Sequence, residues 1–256
     1  MFPPSDRLAG AATDAPDPAS NGSFPECVVL CGGLGARLAD VAGGLPKAMV
    51  PVAGRPFLEW LLDGLRSEGV TRVVLATGHL AGPITGRFGD GSGVGIEISY
   101  SHELAPLGTA GALRRALPLV GGTPVLVVNG DTYTRIPVGE MVAMHLRQAA
   151  QATLLAVRAP ERGRYGAVEI SPHGEVTRLA EKSATEGPGW ISAGAYLFAR
   201  PALERIPADR PASLETEVLP GLVGRGLYAV TSDGPFIDIG TPESYREAAS
   251  IVAVGG

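Results

Sequence analysis

Two lysines are unusual in this chain because arginine supplies almost all of its positive charge. The sequence has 21 Lys and Arg residues, and only Lys47 and Lys182 are lysines. An ammonium is a compact charge with freely rotating donors, whereas a guanidinium is flat and forked. A lysine in this background is therefore either a chance surface charge or a residue required where a guanidinium would not fit.

A glycine-rich loop follows the first predicted strand and could bind an anion. In CVVLCGGLGARL, Gly32, Gly33 and Gly35 come directly after the strand, and Arg37 follows two residues later. Without a Cβ, such a loop brings backbone N–H groups close to a phosphate. No Gly-Lys-Ser/Thr follows, as a Walker loop requires, and Leu38 stands where a dinucleotide-binding GxGxxG has its third glycine. The loop therefore indicates a nucleotide or phosphate site, with a simple tight turn as the alternative.

Alternating strands and helices are predicted to position these residues. Helical patterns lie between several of the β-rich runs ECVVLC, RVVLAT, GIEISY and PVLVVNGD. In RPFLEWLLDGLRSEG one helical face is apolar, and it is made by Phe57, Leu58, Leu61, Leu62 and Leu65. This alternation predicts a Rossmann-like α/β fold, a mostly parallel sheet with helices on both faces. Ligands of such sheets bind beyond the carboxyl ends of the strands.

The second half of the chain predicts more strands and fewer helices. After about residue 150, ATLLAVR, YGAVEIS, GEVTRLAEK and WISAGAYLF follow one another as strands, and helices are expected around residues 200–222 and in PESYREAASIVAV. We predict a single domain over residues 25–256, with a core of about 25–150 and 223–256 and a smaller β-rich portion of about 151–222. The Pro-, Ala-, Asp- and Ser-rich residues 1–24 predict a disordered N-terminal extension.

Composition disfavours several classes of partner. The chain of 256 residues is 45% hydrophobic and carries a net charge of -5, so it can bury a core but has no general attraction to nucleic acid or to an anionic membrane. Neither a membrane-spanning run nor a signal peptide is evident, which predicts a cytoplasmic protein. Cys27 and Cys31 are expected to be buried and reduced.

The histidines are expected to play no part in metal binding. They are scattered along the chain without the spacing of metal ligands. We therefore predict polar surface or loop positions for all of them, that is for His79, His102, His145 and His173.

Several ordered motifs resemble those of one enzyme family. CGGLGARLADVAGGLPKAMVPVAGRPFLEWLL resembles the signature of the sugar-1-phosphate nucleotidyltransferases, also called NDP-sugar pyrophosphorylases. Similar motifs continue as PLGTAGAL at 106–113, VVNGDT at 127–132, YGAVEI at 165–170, EK at 181–182 and FIDIGTPESY at 236–245. The resemblance covers the chain from residue 26 onward, and both lysines fall where the family places lysines that handle phosphate.

The resemblance implies that a sugar 1-phosphate attacks the α-phosphorus of a nucleoside triphosphate and expels pyrophosphate. Because two polyanions must meet, such a reaction depends on positioning and on charge neutralisation. By resemblance, Arg37 would clamp the triphosphate, Lys47 would lie near the α-phosphate, and Lys182 would hold the sugar phosphate. The core would then bind the nucleotide, and the β-rich portion would bind the sugar.

Two aspartates are the candidate ligands for Mg²⁺, the cofactor that this reaction implies. Asp131 follows a strand in NGDT, and Asp238 lies between two isoleucines in FIDIG. Mg²⁺ prefers oxygen donors and often takes one or two carboxylates together with substrate phosphates. A turn role is the alternative for Asp131, whereas an unpaired carboxylate in an apolar strand would be costly to bury at Asp238.

Glu103 is the candidate base-reading residue. It lies five residues before Gly108, where thymidylyltransferases of this family carry a glutamine. A carboxylate could accept hydrogen bonds from both N1–H and the amino group of guanine, whereas thymine and uracil offer one donor. The alternative is an exposed loop residue. The full set of nucleotide-binding positions predicted here is Leu30, Gly32, Gly33, Gly35, Glu103, Gly108 and Thr109.

The sugar is less well indicated than the reaction. The branch of the family that transfers guanylate from GTP to D-glycero-α-D-manno-heptose 1-phosphate is most similar in two segments, ATGHLA and FGDGSGVGIEISYSHELAPLGTAGAL. The alternatives are other bases and other sugars, such as mannose or glucose. Ala36 replaces the threonine usual before the loop arginine, and Ser192 stands where the family commonly has an asparagine, which leaves the sugar open. By resemblance, the sugar-binding positions are Asn129, Gly166, Glu181 and Ser192, with a solvated surface residue as the alternative for Glu181.

Two other functional classes compete with a nucleotidyltransferase. A non-catalytic, sugar-nucleotide-binding relative could keep the fold while losing the reactive side chains, but this chain retains all five: Arg37, Lys47, Lys182, Asp131 and Asp238. A dinucleotide-dependent oxidoreductase is disfavoured by the missing third glycine of the loop. The sequence leaves a homo-oligomer open.

Overall fold

The computed structural model describes residues 24–33, 43–78, 80–180 and 187–255. None of the helices in these ranges has the length and apolar character that crossing a lipid bilayer requires. The strands are β1 (Cys27–Leu30), β2 (Pro51–Val52), β3 (Arg55–Pro56), β4 (Arg72–Thr77), β5 (Glu97–His102), β6 (Val125–Asn129), β7 (Thr132–Thr134), β8 (Ala152–Ala159), β9 (Ala167–Ile170), β10 (Val176–Ala180), β11 (Gly189–Phe198), β12 (Leu227–Ser232) and β13 (Phe236–Asp238). The helices are α1 (Phe57–Ser67), α2 (Ala81–Phe88), α3 (Gly108–Ala116), α4 (Val138–Arg147), α5 (Arg200–Glu204), α6 (Leu219–Leu222) and α7 (Pro242–Gly255), with short 3₁₀ turns at Lys47–Met49, Ser92–Val94 and Leu117–Leu119 and a π-helical turn at Leu214–Val218.

One large mixed sheet organises the described part of the chain. Its path is β10-β9-β11-β6-β1-β4-β5, and β8 pairs with both β11 and β12 beside that path. The strands β6, β1, β4 and β5 run parallel to one another, whereas β11 is antiparallel to β6, β8 and β9. The strand-rich second half of the chain therefore continues the sheet that the first half begins.

Both faces of the central strands are buried, which explains their unbroken apolar runs. Within β1, Cys27 and Val29 belong to one apolar cluster and Val28 belongs to the other. Leu62 of α1 packs in the first cluster, and Leu113 of α3 packs in the second. The prediction of a mostly parallel sheet with helices on both faces is confirmed.

Helix α1 has the apolar face that its sequence predicts. All five of its predicted core side chains are at most 2% exposed. The chain leaves the helix through Gly69, which adopts a φ of 89° and whose N–H donates to the carbonyl of Arg66. A left-handed glycine after the last turn is a common way to end a helix because no Cβ opposes that conformation.

A two-stranded ribbon stands apart from the large sheet, and one candidate metal ligand, Asp238, ends its strand β13 while the other, Asp131, directly precedes its strand β7. Strand β13 is antiparallel to β7, with Asp238 opposite Thr132, and the N–H of Ile239 donates to the carbonyl of Asp131 at 3.0 Å. One side of the ribbon packs on α7 through an apolar cluster formed by Val52, Phe57, Tyr133, Ile237, Ile239, Ala248 and Val252. The ribbon places the two aspartates side by side although they are far apart in sequence.

The two cysteines are free and buried, as predicted. Burial raises the pKa of each thiol above the ordinary range for cysteine, because a thiolate in apolar surroundings is poorly solvated. Cys27 and Cys31 are therefore neutral side chains of the core at physiological pH.

His145 contradicts the prediction of surface or loop histidines. It lies in α4, is only 4% exposed, and its Nδ1 lies 3.0 Å from the hydroxyl of Thr153 in β8. His102 and His173 are exposed, as predicted, and His79 lies outside the described residues. Burial lowers the pKa of His145 from 6.5 to about 4, because a buried imidazolium loses its hydration.

This burial makes the stability of the fold sensitive to acid. Below the ordinary histidine pKa, the unfolded chain binds a proton that the folded protein does not, so unfolding becomes more favourable as pH falls. His145→Gln is the comparison, because glutamine keeps a polar group near Thr153 but does not titrate. When the pH is lowered from 7 to 5, we expect the free energy of unfolding to fall by about 2 kcal/mol more in the wild type than in this variant. Denaturant unfolding of both proteins at the two pH values tests this, and parallel pH profiles would contradict it.

Candidate active site

A cleft of about 360 Å³ lies at the carboxyl ends of the parallel strands. Its walls come from the residues that follow β1, β5 and β6, from the start of α3, and from the turn at Lys47–Met49. Nine residues predicted from the sequence line it: Leu30, Gly32, Gly33, Lys47, Glu103, Gly108, Thr109, Asn129 and Asp131. The position agrees with the general rule that α/β sheets bind ligands beyond their strand ends.

Other predicted positions lie elsewhere. Gly35, Arg37, Glu181 and Lys182 fall outside the described residues. Gly166 and Ser192 are described but do not line the cleft. Gly166 lies beside the carbonyl of Ala180, and the hydroxyl of Ser192 donates to the hydroxyl of Tyr196 at 3.1 Å. The structure therefore brings together the predicted nucleotide-side residues more completely than the predicted sugar-side residues.

Lys47 joins the two candidate metal ligands. Its Nζ donates to Oδ2 of Asp131 at 2.6 Å and to Oδ1 of Asp238 at 3.2 Å. The lysine side chain is 14% exposed, whereas the aspartate side chains are 39% and 26% exposed, respectively. One cation is thus shared by two carboxylates, and the cluster keeps a formal charge of −1.

The local backbone explains how each member of this cluster is held. Lys47 begins a 3₁₀ turn directly after Pro46, and the N–H of Val50 donates back to the lysine carbonyl. Asp131 lies between β6 and β7, and Asp238 ends β13. The aspartate pair offers the oxygen donors that a hard cation such as Mg²⁺ prefers, and both side chains remain partly open to solvent. Within the described ranges no group of three or more His, Cys, Asp or Glu side chains could hold a metal ion.

Gly240 is part of this cluster although the sequence did not single it out. Its N–H donates to Oδ1 of Asp238 at 2.7 Å. A Cβ at this position would lie 2.9 Å from that oxygen and 3.2 Å from Nζ of Lys47. The glycine in FIDIG, two residues after a candidate ligand, is the signal that could have identified it, because only glycine permits so close an approach.

Gly240→Ala should therefore reduce turnover without unfolding the protein. The added methyl must displace either Lys47 or Asp238, and a displacement of about 1 Å at a reacting centre can cost about 10²-fold in rate. We expect kcat to fall by about 10- to 100-fold while the melting temperature changes little. Gly139→Ala is the matched control, since a Cβ at Gly139 meets nothing within 4 Å. Equal turnover in the two variants would contradict this prediction.

Glu103 is a buried wall residue of the cleft and not an exposed loop residue. It is 9% exposed, and its Oε2 accepts the N–H of Leu107 at 2.9 Å. Burial raises the pKa of its carboxyl group, opposed by the Leu107 hydrogen bond and by nearby positive charge. Its Oε1 lies 3.0 Å from the point where a Cβ of Gly32 would be, so the first loop glycine makes room for this carboxylate.

Thr109 uses its hydroxyl for contacts within the protein. Oγ1 donates to Oε2 of Glu215 at 2.7 Å and accepts the N–H of Leu214 at 2.8 Å. Gly108, with a φ of 72°, is also shaped by this neighbouring segment, because a Cβ there would lie 2.4 Å from the carbonyl oxygen of Ala212. Thr109 was predicted from the motif PLGTAG, but its partners 212–215 carried no signal in the sequence.

Asn129 links the cleft to the bulged part of β11. The pairing of β11 with β8 shifts register between Ser192 and Tyr196, and Gly194 in that interval has a φ of 74°. A Cβ on Gly194 would lie 2.9 Å from Nδ2 of Asn129. The side-chain oxygen of Asn129 is buried and has no hydrogen-bond partner among the described residues.

The chain is similar to known proteins along most of its length. Residues 26–254 match the family profile described as nucleotidyl transferase. The chain is 34% identical over 231 residues to the mannose-1-phosphate guanylyltransferase of Mycobacterium tuberculosis, a match covering 89% of this chain and 64% of that protein. It is 35% identical over 224 residues to the D-glycero-alpha-D-manno-heptose 1-phosphate guanylyltransferase of Aneurinibacillus thermoaerophilus, covering 87% and 96%.

A solved structure agrees with these matches. The crystal structure of HddC from Yersinia pseudotuberculosis superposes with a TM-score of 0.78 at 31% identity, covering 88% of this chain and 98% of that one. A second crystal structure of the same protein, complexed with GMP-PN, gives a TM-score of 0.77. The cleft described above therefore lies in a fold shared with these structures.

Proposed function

Because this chain belongs to the nucleotidyl transferase family, we propose that it transfers guanylate from GTP to a sugar 1-phosphate, releasing pyrophosphate and forming a GDP-sugar. The observation that carries the proposal is the contact of Lys47 with both Asp131 and Asp238 at the edge of a cleft whose floor is the end of the parallel sheet. The family match also removes the dinucleotide-dependent oxidoreductase as an alternative.

In this reaction an oxygen of the sugar phosphate forms a bond to the α-phosphorus while the bond from that phosphorus to the pyrophosphate oxygen breaks. Negative charge accumulates where the two anions meet, so the protein contributes chiefly cations and fixed geometry. Among the described residues, Lys47 is the cation that meets this requirement, because it lines the cleft and two carboxylates fix its position. Arg37 and Lys182 are proposed to act on the triphosphate and on the sugar phosphate, as their motif positions imply.

Asp131 and Asp238 are the residues that would hold Mg²⁺, whose chemistry there would be to neutralise phosphate charge. The protein's own part is to keep the two carboxylates together, through the β7–β13 ribbon, and beside Lys47. Their partial exposure leaves room for phosphate and water oxygens to complete the octahedral set that Mg²⁺ requires.

Guanine is the proposed base because of Glu103. Its carboxylate lines the cleft, and both oxygens retain a lone pair after the Leu107 hydrogen bond is counted. Two relatives that match this chain are guanylyltransferases by name, which supports the same base. A heptose or a mannose 1-phosphate is the proposed acceptor, bound toward residues 151–222, since those two relatives differ in the sugar and are about equally similar.

The first test is pyrophosphate release in the presence of Mg²⁺, with GTP, CTP, UTP, ATP and dTTP each offered to heptose 1-phosphate and to mannose 1-phosphate. Release with GTP alone is expected. Release with another nucleotide would retain the reaction and refute the guanine assignment. GTP binding measured by calorimetry without release for either sugar would favour the non-catalytic, sugar-nucleotide-binding alternative.

A further inference from the structure

The base side of the cleft is connected to a distant part of the chain by a series of hydrogen bonds. Oε2 of Glu103 accepts the N–H of Leu107 at 2.9 Å. The carbonyl of Leu107 accepts the N–H of Ala212 at 2.9 Å, and the carbonyl of Ala212 accepts the N–H groups of Ala110 and Gly111 at 3.0 and 3.3 Å. The orientation of the Glu103 carboxylate thus depends on where residues 212–218, here called the 212–218 segment, are held.

Helix α3 needs this external support because its own first turn is weak. The helix begins at Gly108 and contains Gly111, and no side chain caps its N-terminus. Glycine lowers helix stability by about 1 kcal/mol relative to alanine at an interior position. The Ala212 carbonyl supplies the acceptor for the N–H groups of the first turn that a capping side chain would otherwise supply.

A pair of side chains fastens the same two elements together. Thr109, in the first turn of α3, donates to Oε2 of Glu215, and the same carboxylate oxygen accepts the hydroxyl of Ser213 at 3.0 Å. Thr109 in turn accepts the N–H of Leu214. Thr109 lines the cleft, whereas Glu215 does not, so Glu215 can influence a ligand only through its partners.

We infer that Glu215 is a positioning residue for base recognition: through Thr109 it holds the 212–218 segment against the start of α3, and that segment fixes the Leu107 peptide that orients the Glu103 carboxylate. The inference rests on the proposed function, in which Glu103 reads guanine. It adds a specificity determinant that lies outside the cleft.

The test compares GTP with ITP. ITP lacks the 2-amino group, which in GTP would donate a hydrogen bond to a correctly oriented Glu103 carboxylate. We expect Glu215→Ala to lower the GTP/ITP ratio of kcat/KM by about 3- to 10-fold. In this variant the Glu103 carboxylate is still present but is displaced, so its hydrogen bond to the 2-amino group of guanine is weakened. The change should appear mainly in KM for GTP and in the calorimetric Kd of GTP measured without sugar, with KM for the sugar 1-phosphate unchanged.

Two further variants separate positioning from general stability. Glu215→Gln keeps an acceptor for Thr109 and should preserve the wild-type ratio. Glu217→Ala is the matched control, since Glu217 lies on the same turn, pairs with Arg210 at 2.8 Å and accepts the N–H of Ser213, but does not bond to Thr109. It should leave the ratio unchanged even if it lowers the melting temperature.

Each outcome decides between the two proposals. A wild type that selects GTP over ITP, with a lowered ratio in Glu215→Ala alone, supports the inference. A selective wild type whose ratio survives in Glu215→Ala, or falls equally in Glu217→Ala, overturns the inference and leaves the proposed function standing. A wild type that does not distinguish GTP from ITP refutes the reading of guanine by Glu103, and the inference with it.

Discussion

Lys47→Arg is expected to lower kcat by about 10³-fold, a loss of the size seen when a group that stabilises transition-state charge is removed. The ammonium lies 2.6 and 3.2 Å from two carboxylate oxygens, and a Cβ on Gly240 would come within 3.2 Å of it. A guanidinium is larger and planar, and its charge is spread over three nitrogens. It would push the carboxylates apart and place its charge away from the point where the phosphates meet.

The same substitution should change stability little. Arginine keeps the positive charge between the two aspartates, so neither carboxylate is left without a cation, and we expect the melting temperature to stay within about 3 °C of the wild-type value. Arg55→Lys is a matched exchange in the opposite direction, at an arginine that pairs with Glu59 and Asp63 and does not line the cleft, and it should keep full activity. Wild-type turnover in Lys47→Arg would refute the role given to the ammonium.

Asp238→Asn is expected to lower kcat by about 10³-fold or more and to weaken divalent metal binding at least about tenfold. The amide oxygen can still accept the N–H of Gly240, so the local backbone is kept. The change brings the formal charge of the cluster with Lys47 and Asp131 from −1 to zero, which weakens its attraction for a divalent cation. Mn²⁺ binding without substrate, followed by electron paramagnetic resonance, gives a readout independent of turnover.

Asp233→Asn is the control for this experiment. Asp233 is an exposed carboxylate 3.7 Å from Arg158, and it lies in the turn between β12 and β13, close to Asp238 in sequence. Its replacement changes the net charge of the protein by the same amount and should affect neither Mn²⁺ binding nor kcat. Unchanged Mn²⁺ affinity in Asp238→Asn would show that the aspartate pair is not the metal site.

Helices with a regular apolar face could be predicted from the sequence. The buried position of His145 was nevertheless missed. The face of α1 follows from apolar residues three and four apart, which needs no knowledge of the partner. Val138, Met141 and His145 have the same spacing in α4, and all three are buried. A surface or loop position was inferred for the histidine because it lacks the spacing of a metal ligand, although its place on the apolar face of α4 indicates the core. Its partner Thr153 is supplied by another strand.

The sequence allowed many residues that line the cleft to be predicted one by one, but it did not allow their contacts to be predicted. Lys47, Asp131 and Asp238 were identified as a cation and two metal ligands, yet nothing local indicates that one ammonium bonds to both carboxylates. Those distances arise from the order of strands and from the β7–β13 ribbon, which are long-range features. The tie between Thr109 and Glu215 is of the same kind, because it spans 106 residues and neither member alone carries a pattern.

The β7–β13 ribbon gives the C-terminal helix a part in the chemistry. Ala248 and Val252 of α7 pack against Ile237 and Tyr133, so the docking of that helix supports the ribbon that holds the two carboxylates together. The ribbon, the helix and the aspartates should therefore open as one cooperative unit, with amide hydrogens at 132–134 and 236–239 exchanging at a common rate. An enlarged side chain at Ala248, which is buried and does not line the cleft, would then change the distance between the two carboxylates.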